Sequence, residues 1–162
     1  MILSDKKEER YSQLQLISTR KCMTRDVGFN GNLFGGMMLA WLDEAAVAFA
    51  CCECQTPRMV TAKMSEVEFR KPVRPGQIIK IYGKIITVND TSVELLIQAR
   101  RHSTYNGSEK LVCSTVMTFV RVDGDGEPVP LSSEIKEKYK NQITFKDAST
   151  LALQDSTETE QF

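Results

Sequence analysis

The sequence predicts an α+β fold: a single domain in which one long central helix is wrapped by a curved antiparallel sheet of five or six strands. Two observations carry this. The segment 37–52 is apolar on nearly every face, with only Asp43 and Glu44 as polar residues, and after Pro57 the apolar period changes from 3.6 to 2. A helix without a polar stripe has to be covered from several sides, and one curved antiparallel sheet is the economical cover.

The elements follow in the order β-α-β-β-β-β. Gln13–Met23 mixes apolar and polar residues as a first strand does, and Arg25–Asn32, with Asp26, Gly28, Asn30 and Gly31, is a loop. Phe34-Gly35-Gly36 opens the helix, which fades by Cys54 and stops before Pro57. Arg58–Phe69 is a strand whose alternation changes phase, from Val60, Ala62 and Met64 to Val67 and Phe69, so a β-bulge is expected near Ser65 and Glu66. After the turn Lys71–Gly76, three strands are expected at Gln77–Val88, Ser92–Arg101 and Leu111–Val122. Asn89-Asp90 and Asn106-Gly107 reverse the chain between them, giving an antiparallel meander. The domain reading is a polar extension over 1–12, the fold over 13–130, and over 131–162 a short helix near Ser132–Tyr139 with a polar tail.

Composition narrows the function classes. The 162 residues suffice for one core, and 21 basic against 21 acidic side chains give no overall pull toward nucleic acid or an anionic membrane. The charged start Met1–Arg10 lacks the apolar run of a secretory signal. Segment 37–52 is shorter than the ~20 residues of a bilayer span, and two central acids would be costly there. Five cysteines, three of them at 51, 52 and 54, argue against a disulfide framework and for a reducing cytoplasm; their spacing, with no histidine nearby, does not fit zinc. No metal is expected.

The chemistry is expected along the helix. Gly35 and Gly36 leave the backbone approachable where first-turn amides lack partners and the macrodipole is positive, a place for a developing oxyanion. Taken alone, two glycines favour close packing of the helix against the sheet over that role. Asp43 is a carboxylate in an apolar wall, costly unless hydrogen-bonded or paired; a salt bridge to the sheet is the structural alternative to catalysis. Glu44 points about 100° away and faces another environment. Gly36 and Asp43, seven residues apart, share a helix face but lie about 10 Å apart along the axis, too far to act together on one carbon. If both are catalytic, the site is composite, with each group coming from a different chain of a dimer.

The residues Asp26-Val-Gly-Phe-Asn-Gly-Asn-Leu-Phe-Gly-Gly36 and Trp41-Leu-Asp-Glu-Ala45 resemble the acyl-CoA hydrolase (acyl-CoA thioesterase) family of hotdog-fold proteins. The likeness runs on through Arg58-Met-Val-Thr-Ala62 and Val67–Gly76 and covers about residues 13–123. The resemblance implies a hotdog domain with Asp43 as general base or nucleophile and Gly36 offering its amide to the thioester carbonyl. It implies hotdog dimers, commonly assembled as trimers of dimers, with CoA between subunits as part of the substrate and no separate cofactor. The family's usual asparagine three residues before the glycine matching Gly31 is Gly28 here, which leaves Asn30 or Asn32 to position the water or the carbonyl.

CoA carries a pyrophosphate and a 3′-phosphate, so basic groups should gather where it docks; the candidates are Arg58, Arg70, Lys71, Arg74, Arg100 and Arg101. Thr61 and Ser65, on the strand after the helix, are candidates for lining the pantetheine or acyl channel, as are Gly35 and Asn32 at the helix entrance. Met37, Met38, Trp41 and Phe49 are core residues by default, some of them also facing the acyl chain. The alternative is a non-hydrolytic acyl-CoA or fatty-acid binding module on the same scaffold. A dehydratase needs a histidine beside the acyl β-carbon, and the sole histidine, His102, ends a late strand.

Overall fold

In a computed structural model, residues 13–140 are described; the expected polar extension at 1–12 and most of the C-terminal tail lie outside the described residues. Five strands form one antiparallel sheet: β1 (Gln15–Lys21), β2 (Met59–Met64), β3 (Ile78–Val88), β4 (Ser92–His102) and β5 (Glu109–Arg121). Their spatial order is β1-β3-β4-β5-β2. The three meander strands thus sit side by side, and β1 and β2, which flank the helix in sequence, close the two edges. Asn89 turns β3 into β4, its amide donating to the Ser92 carbonyl at 2.8 Å. Gly107, at φ +74°, turns β4 into β5, in the left-handed region that glycine enters without strain.

Helix α1 (Gly35–Glu53) packs across all five strands. It buries Met38, Trp41, Leu42, Ala45, Ala46 and Ala50, a stripe at helical spacing, against Ile79 and Ile81 of β3, Val93, Leu95 and Ile97 of β4, and Met117 and Phe119 of β5. The opposite stripe, Gly36, Ala40, Glu44, Ala48 and Cys52, is exposed. The expected wrapping is therefore one-sided within the chain: the sheet covers one face of α1, and a second face, nearly as apolar, stands open. By length and composition α1 could cross a membrane. Its mid-length acids and its seat on the sheet instead make it the core helix.

The phase change in β2 falls three residues earlier than the expected bulge at Ser65 and Glu66. Thr61 pairs with Phe119 and Lys63 with Thr118, so Ala62 is the extra residue. Buried Met59 and half-buried Met64 are five residues apart, which an unbroken two-residue period cannot put on one face. Beyond β2 the chain keeps contact with β5 through Ser65, whose amide donates to the Val116 carbonyl at 2.9 Å. Arg70 does the same with the Val112 carbonyl at 2.8 Å.

Helix α2 (Ser133–Lys140) buries Ile135 and Tyr139, and the Tyr139 hydroxyl donates to Glu53 at the end of α1. All five cysteines are free thiols. Burial pushes Cys54 and Cys113 up to about 11 each, far from the thiolate form.

Leu42 is fully buried at the centre of the α1–sheet contact. Leu42→Ala is expected to cost about 2–5 kcal/mol, read as a lower denaturant midpoint with the slope retained.

Candidate functional site

The approach to α1 is fixed by backbone bonds. Asp26 is buried; its carboxylate accepts the Met23 amide at 2.8 Å and its carbonyl accepts the Phe34 amide at 2.9 Å. Gly28 donates to the Asn32 carbonyl at 2.8 Å and Gly31, at φ +78°, to the Gly28 carbonyl at 3.1 Å, which closes the loop upon itself. Leu33 is tied to the Val73 carbonyl at 2.7 Å. The chain enters the helix at Phe34, whose carbonyl receives the amides of Met37 and Met38 at 2.9 and 3.1 Å. Among the described residues, the amides of Gly35 and Gly36 make no backbone hydrogen bond, as the geometry of a first turn requires.

Both glycines are shaped by aromatic neighbours. A Cβ on Gly36 would stand 2.6 Å from Cε1 of Phe34, and one on Gly35 would stand 3.6 Å from the Phe69 ring. Both rings are largely exposed, so an apolar rim surrounds two amides that lack partners. Beside them lies a cavity of about 280 Å³. Of the residues singled out from sequence, Asn32, Gly35, Arg70 and Lys71 line it together, with Met38 and Phe69 as apolar wall.

Asp43 lies two turns further along α1, half-buried at the border between the stripe on the sheet and the open one. The Thr61 hydroxyl, from β2, donates to its Oδ1 at 2.6 Å, a short charge-assisted contact. No basic side chain pairs with Asp43 among the described residues. That role falls to its neighbour: Glu44 pairs with Arg20 of β1, whose guanidinium also lies 5.9 Å from the centre of the Trp41 ring. One acid staples the helix to the sheet edge; the other keeps an oxygen available for chemistry. Asp43 and Gly36, seven residues apart, share a helix face but stand about two turns apart, so one chain does not bring them together.

The remaining residues are dispersed. Asn30 is exposed, and its side-chain oxygen accepts the Asn32 amide at 3.3 Å within the loop. The Ser65 hydroxyl accepts the Val116 amide at 2.8 Å and meets Thr115 at 3.1 Å, which ties it into the sheet. Arg58, at the start of β2, reaches toward Gly124. The exposed Arg74 donates its amide to Gln77 at 2.9 Å. Arg100 holds Gln98 at 2.6 Å and stacks over Tyr82, while Arg101 donates to the Pro72 carbonyl at 3.0 Å. His102 stands by the β4–β5 hairpin, in a second cavity that shares no lining residue with the first. Sequence reasoning missed Arg20, Asp26, Phe34 and Phe69. Only Phe34, adjoining the double glycine, carried a signal that could have singled it out.

Comparison with known proteins adds an independent line. A sequence profile for the Thioesterase superfamily matches residues 30–107. An uncharacterized acyl-CoA thioester hydrolase of Bacillus subtilis is 26% identical over 123 residues, 76% of this chain and 71% of that protein. The acetyl-coenzyme A thioesterase of Rattus norvegicus is 32% identical over 123 residues, 74% of this chain, but the chain spans only 21% of that protein's length. A hexameric hotdog fold thioesterase of Campylobacter jejuni superposes with a TM-score of 0.67 at 30% identity, covering 78% of this chain and 96% of that one.

Because a Cβ at 36 meets the Phe34 ring, the two positions are coupled. Gly36→Ala gains about 1 kcal/mol of helix propensity. We expect that gain to appear in a Phe34→Ala background and to be cancelled when Phe34 is present, as read from a double-mutant cycle of unfolding free energies.

Proposed function

Since the chain belongs to the Thioesterase superfamily, we propose that it is an acyl-CoA thioesterase, cleaving acyl-CoA to a free carboxylic acid and CoA. The observation that carries this reading is Asp43: a half-buried carboxylate at the border of the open face of α1, held by the Thr61 hydroxyl and paired with no cation among the described residues.

In the proposed reaction Thr61 fixes Oδ1 and thereby orients the carboxylate. Asp43 takes a proton from water as the water oxygen attacks the thioester carbon, or attacks that carbon itself to form an anhydride that water then cleaves. The carbonyl oxygen gains negative charge, which the Gly36 amide receives at the positive end of the helix. Collapse expels the CoA thiolate, which recovers a proton. Asn30 or Asn32, in the loop before the helix, positions the water or the carbonyl. CoA enters as part of the substrate, and no other cofactor is invoked.

The separation of Asp43 from Gly36 calls for two chains. The open apolar stripe of α1 supplies the surface for a partner, and β2 is a free sheet edge beside it. We propose a hotdog dimer with two composite sites, each taking its aspartate from one protomer and its helix entrance from the other, and trimers of such dimers as the assembly. The cavity lined by Asn32, Gly35, Arg70 and Lys71 offers cations and apolar walls to the substrate beside that entrance. Five free thiols suit a reducing compartment, and the cytoplasm is the proposed location.

Thiol release from short to long acyl-CoAs tests the reading. Asp43→Asn is expected to lower kcat at least about a hundredfold, the scale of losing an acid–base group. Thr61→Val is expected to lower kcat by about tenfold or more through misorientation, and Thr61→Ser to restore it. Wild-type turnover in Asp43→Asn would refute the mechanism; stoichiometric acyl-CoA binding without thiol release would favour the binding module.

A further inference from the structure

A helix usually starts behind Ser, Thr, Asp or Asn, whose side-chain oxygen accepts the amide of the second or third helical residue. The protein follows that rule at α2, where the Ser132 hydroxyl accepts the Ile135 amide at 3.3 Å. At α1 it does not. The residue before the helix is Phe34, and no side chain caps the first turn. Its ring has no oxygen to offer.

The consequence falls on one amide. The Phe34 amide donates to the Asp26 carbonyl at 2.9 Å, and the Met37 amide donates to the Phe34 carbonyl at 2.9 Å. A capping oxygen at position 34 would find the third helical amide engaged and would take the second, which belongs to Gly36. That is the amide assigned to the carbonyl oxygen in the proposed reaction.

The ring is also fitted to its place. Its Cδ2 stands 3.7 Å from the point a Cβ on Gly28 would occupy, and its Cε1 stands 2.6 Å from the same point on Gly36. One residue without a side chain in the loop and another in the helix thus flank opposite edges of the ring. The ring lies against Gly36 and shields that side of it from water, which favours a hydrogen bond to a developing charge.

We propose that Phe34 is a positioning residue for the thioester carbonyl, acting through Gly36: it keeps that amide free of an internal acceptor and so open to the substrate oxygen as negative charge builds. The inference rests on the thioesterase reading and deepens it. Helix stability and turnover are opposed at this position. An oxygen-bearing side chain at 34 would stabilise the start of α1 and occupy the donor that the transition state needs; an anionic one would also repel the oxyanion.

The test compares full-length Phe34→Leu, Phe34→Ala, Phe34→Ser and Phe34→Asp by thiol release, denaturant midpoint and hydrogen exchange of the Gly36 amide read by NMR. Phe34→Leu, apolar and unable to cap, is expected to keep kcat within about threefold of the parent chain. Ala and Ser both lack the ring, and only Ser can cap. Relative to Phe34→Ala, Phe34→Ser is expected to unfold at higher denaturant, to slow Gly36 exchange at least about threefold and to lower kcat at least about fivefold with KM little changed. Phe34→Asp is expected to extend all three trends. A purely structural role would instead move kcat in the same direction as stability. Equal Gly36 exchange in the Ala and Ser variants, or a kcat that does not fall from Ala to Ser, overturns the proposal. Slowed exchange with no thiol release even from the parent chain would sink the thioesterase reading and leave the control of the amide standing; equal exchange with thiol release intact would sink the role of Phe34 alone.

Discussion

A carboxylate in the middle of an apolar helix has to find a hydrogen-bond donor or a counter-charge, and how α1 meets that demand organises the molecule. Two adjacent acids face two directions. Glu44 takes the counter-charge, Arg20, and anchors the helix to the β1 edge of the sheet. Asp43 takes a neutral donor, the Thr61 hydroxyl, from the opposite edge. An ion pair at Asp43 would have stabilised the charge and blunted its basicity; a hydroxyl orients one oxygen and leaves the other available. The sheet order makes this possible, since β1 and β2 flank α1 in sequence and end at opposite edges.

The same arrangement explains why the helix has no polar stripe. A helix resting on one sheet normally turns charged residues to water on its far side. Here the far side carries Gly36, Ala40, Ala48 and Cys52 around Glu44, with the half-buried Asp43 at its border. An open apolar face of this kind calls for a second protein surface. The unpartnered amide of Gly36 lies on that side, and the carboxylate at its border. In the proposed dimer, burial of that face and completion of the site are one event, so activity and association are linked.

Much of this was legible in the sequence. The order of elements along the chain, the hairpin reversals and the extent of α1 follow from period and turn chemistry, and the oddity of an acid among apolar residues singled out Asp43. The β2 bulge was misplaced by three positions because Ala62 fits either phase of an alternation. The only visible break in the pattern came later, at Ser65 and Glu66, where the hydroxyl of Ser65 in fact stitches the chain to β5. Which of the two acids stays free depended on Arg20, which lies 24 residues from Glu44 and is joined to it only through the sheet. The hold of Asp26 on the loop was likewise invisible, because its partners are backbone amides and carbonyls. Thr61 was singled out as a lining residue; its contact with Asp43 came only from the fold.

The account stands on one geometric claim, that two protomers jointly surround the scissile bond. A crystal structure of the protein with a thioether analogue of an acyl-CoA measures it directly. The account predicts the carbonyl oxygen about 3 Å from the Gly36 amide of one protomer, and the carbonyl carbon within reach of Asp43 from the other, directly or through one water. Finding both groups supplied by the same chain, or Asp43 turned from the ligand into solvent, would contradict it.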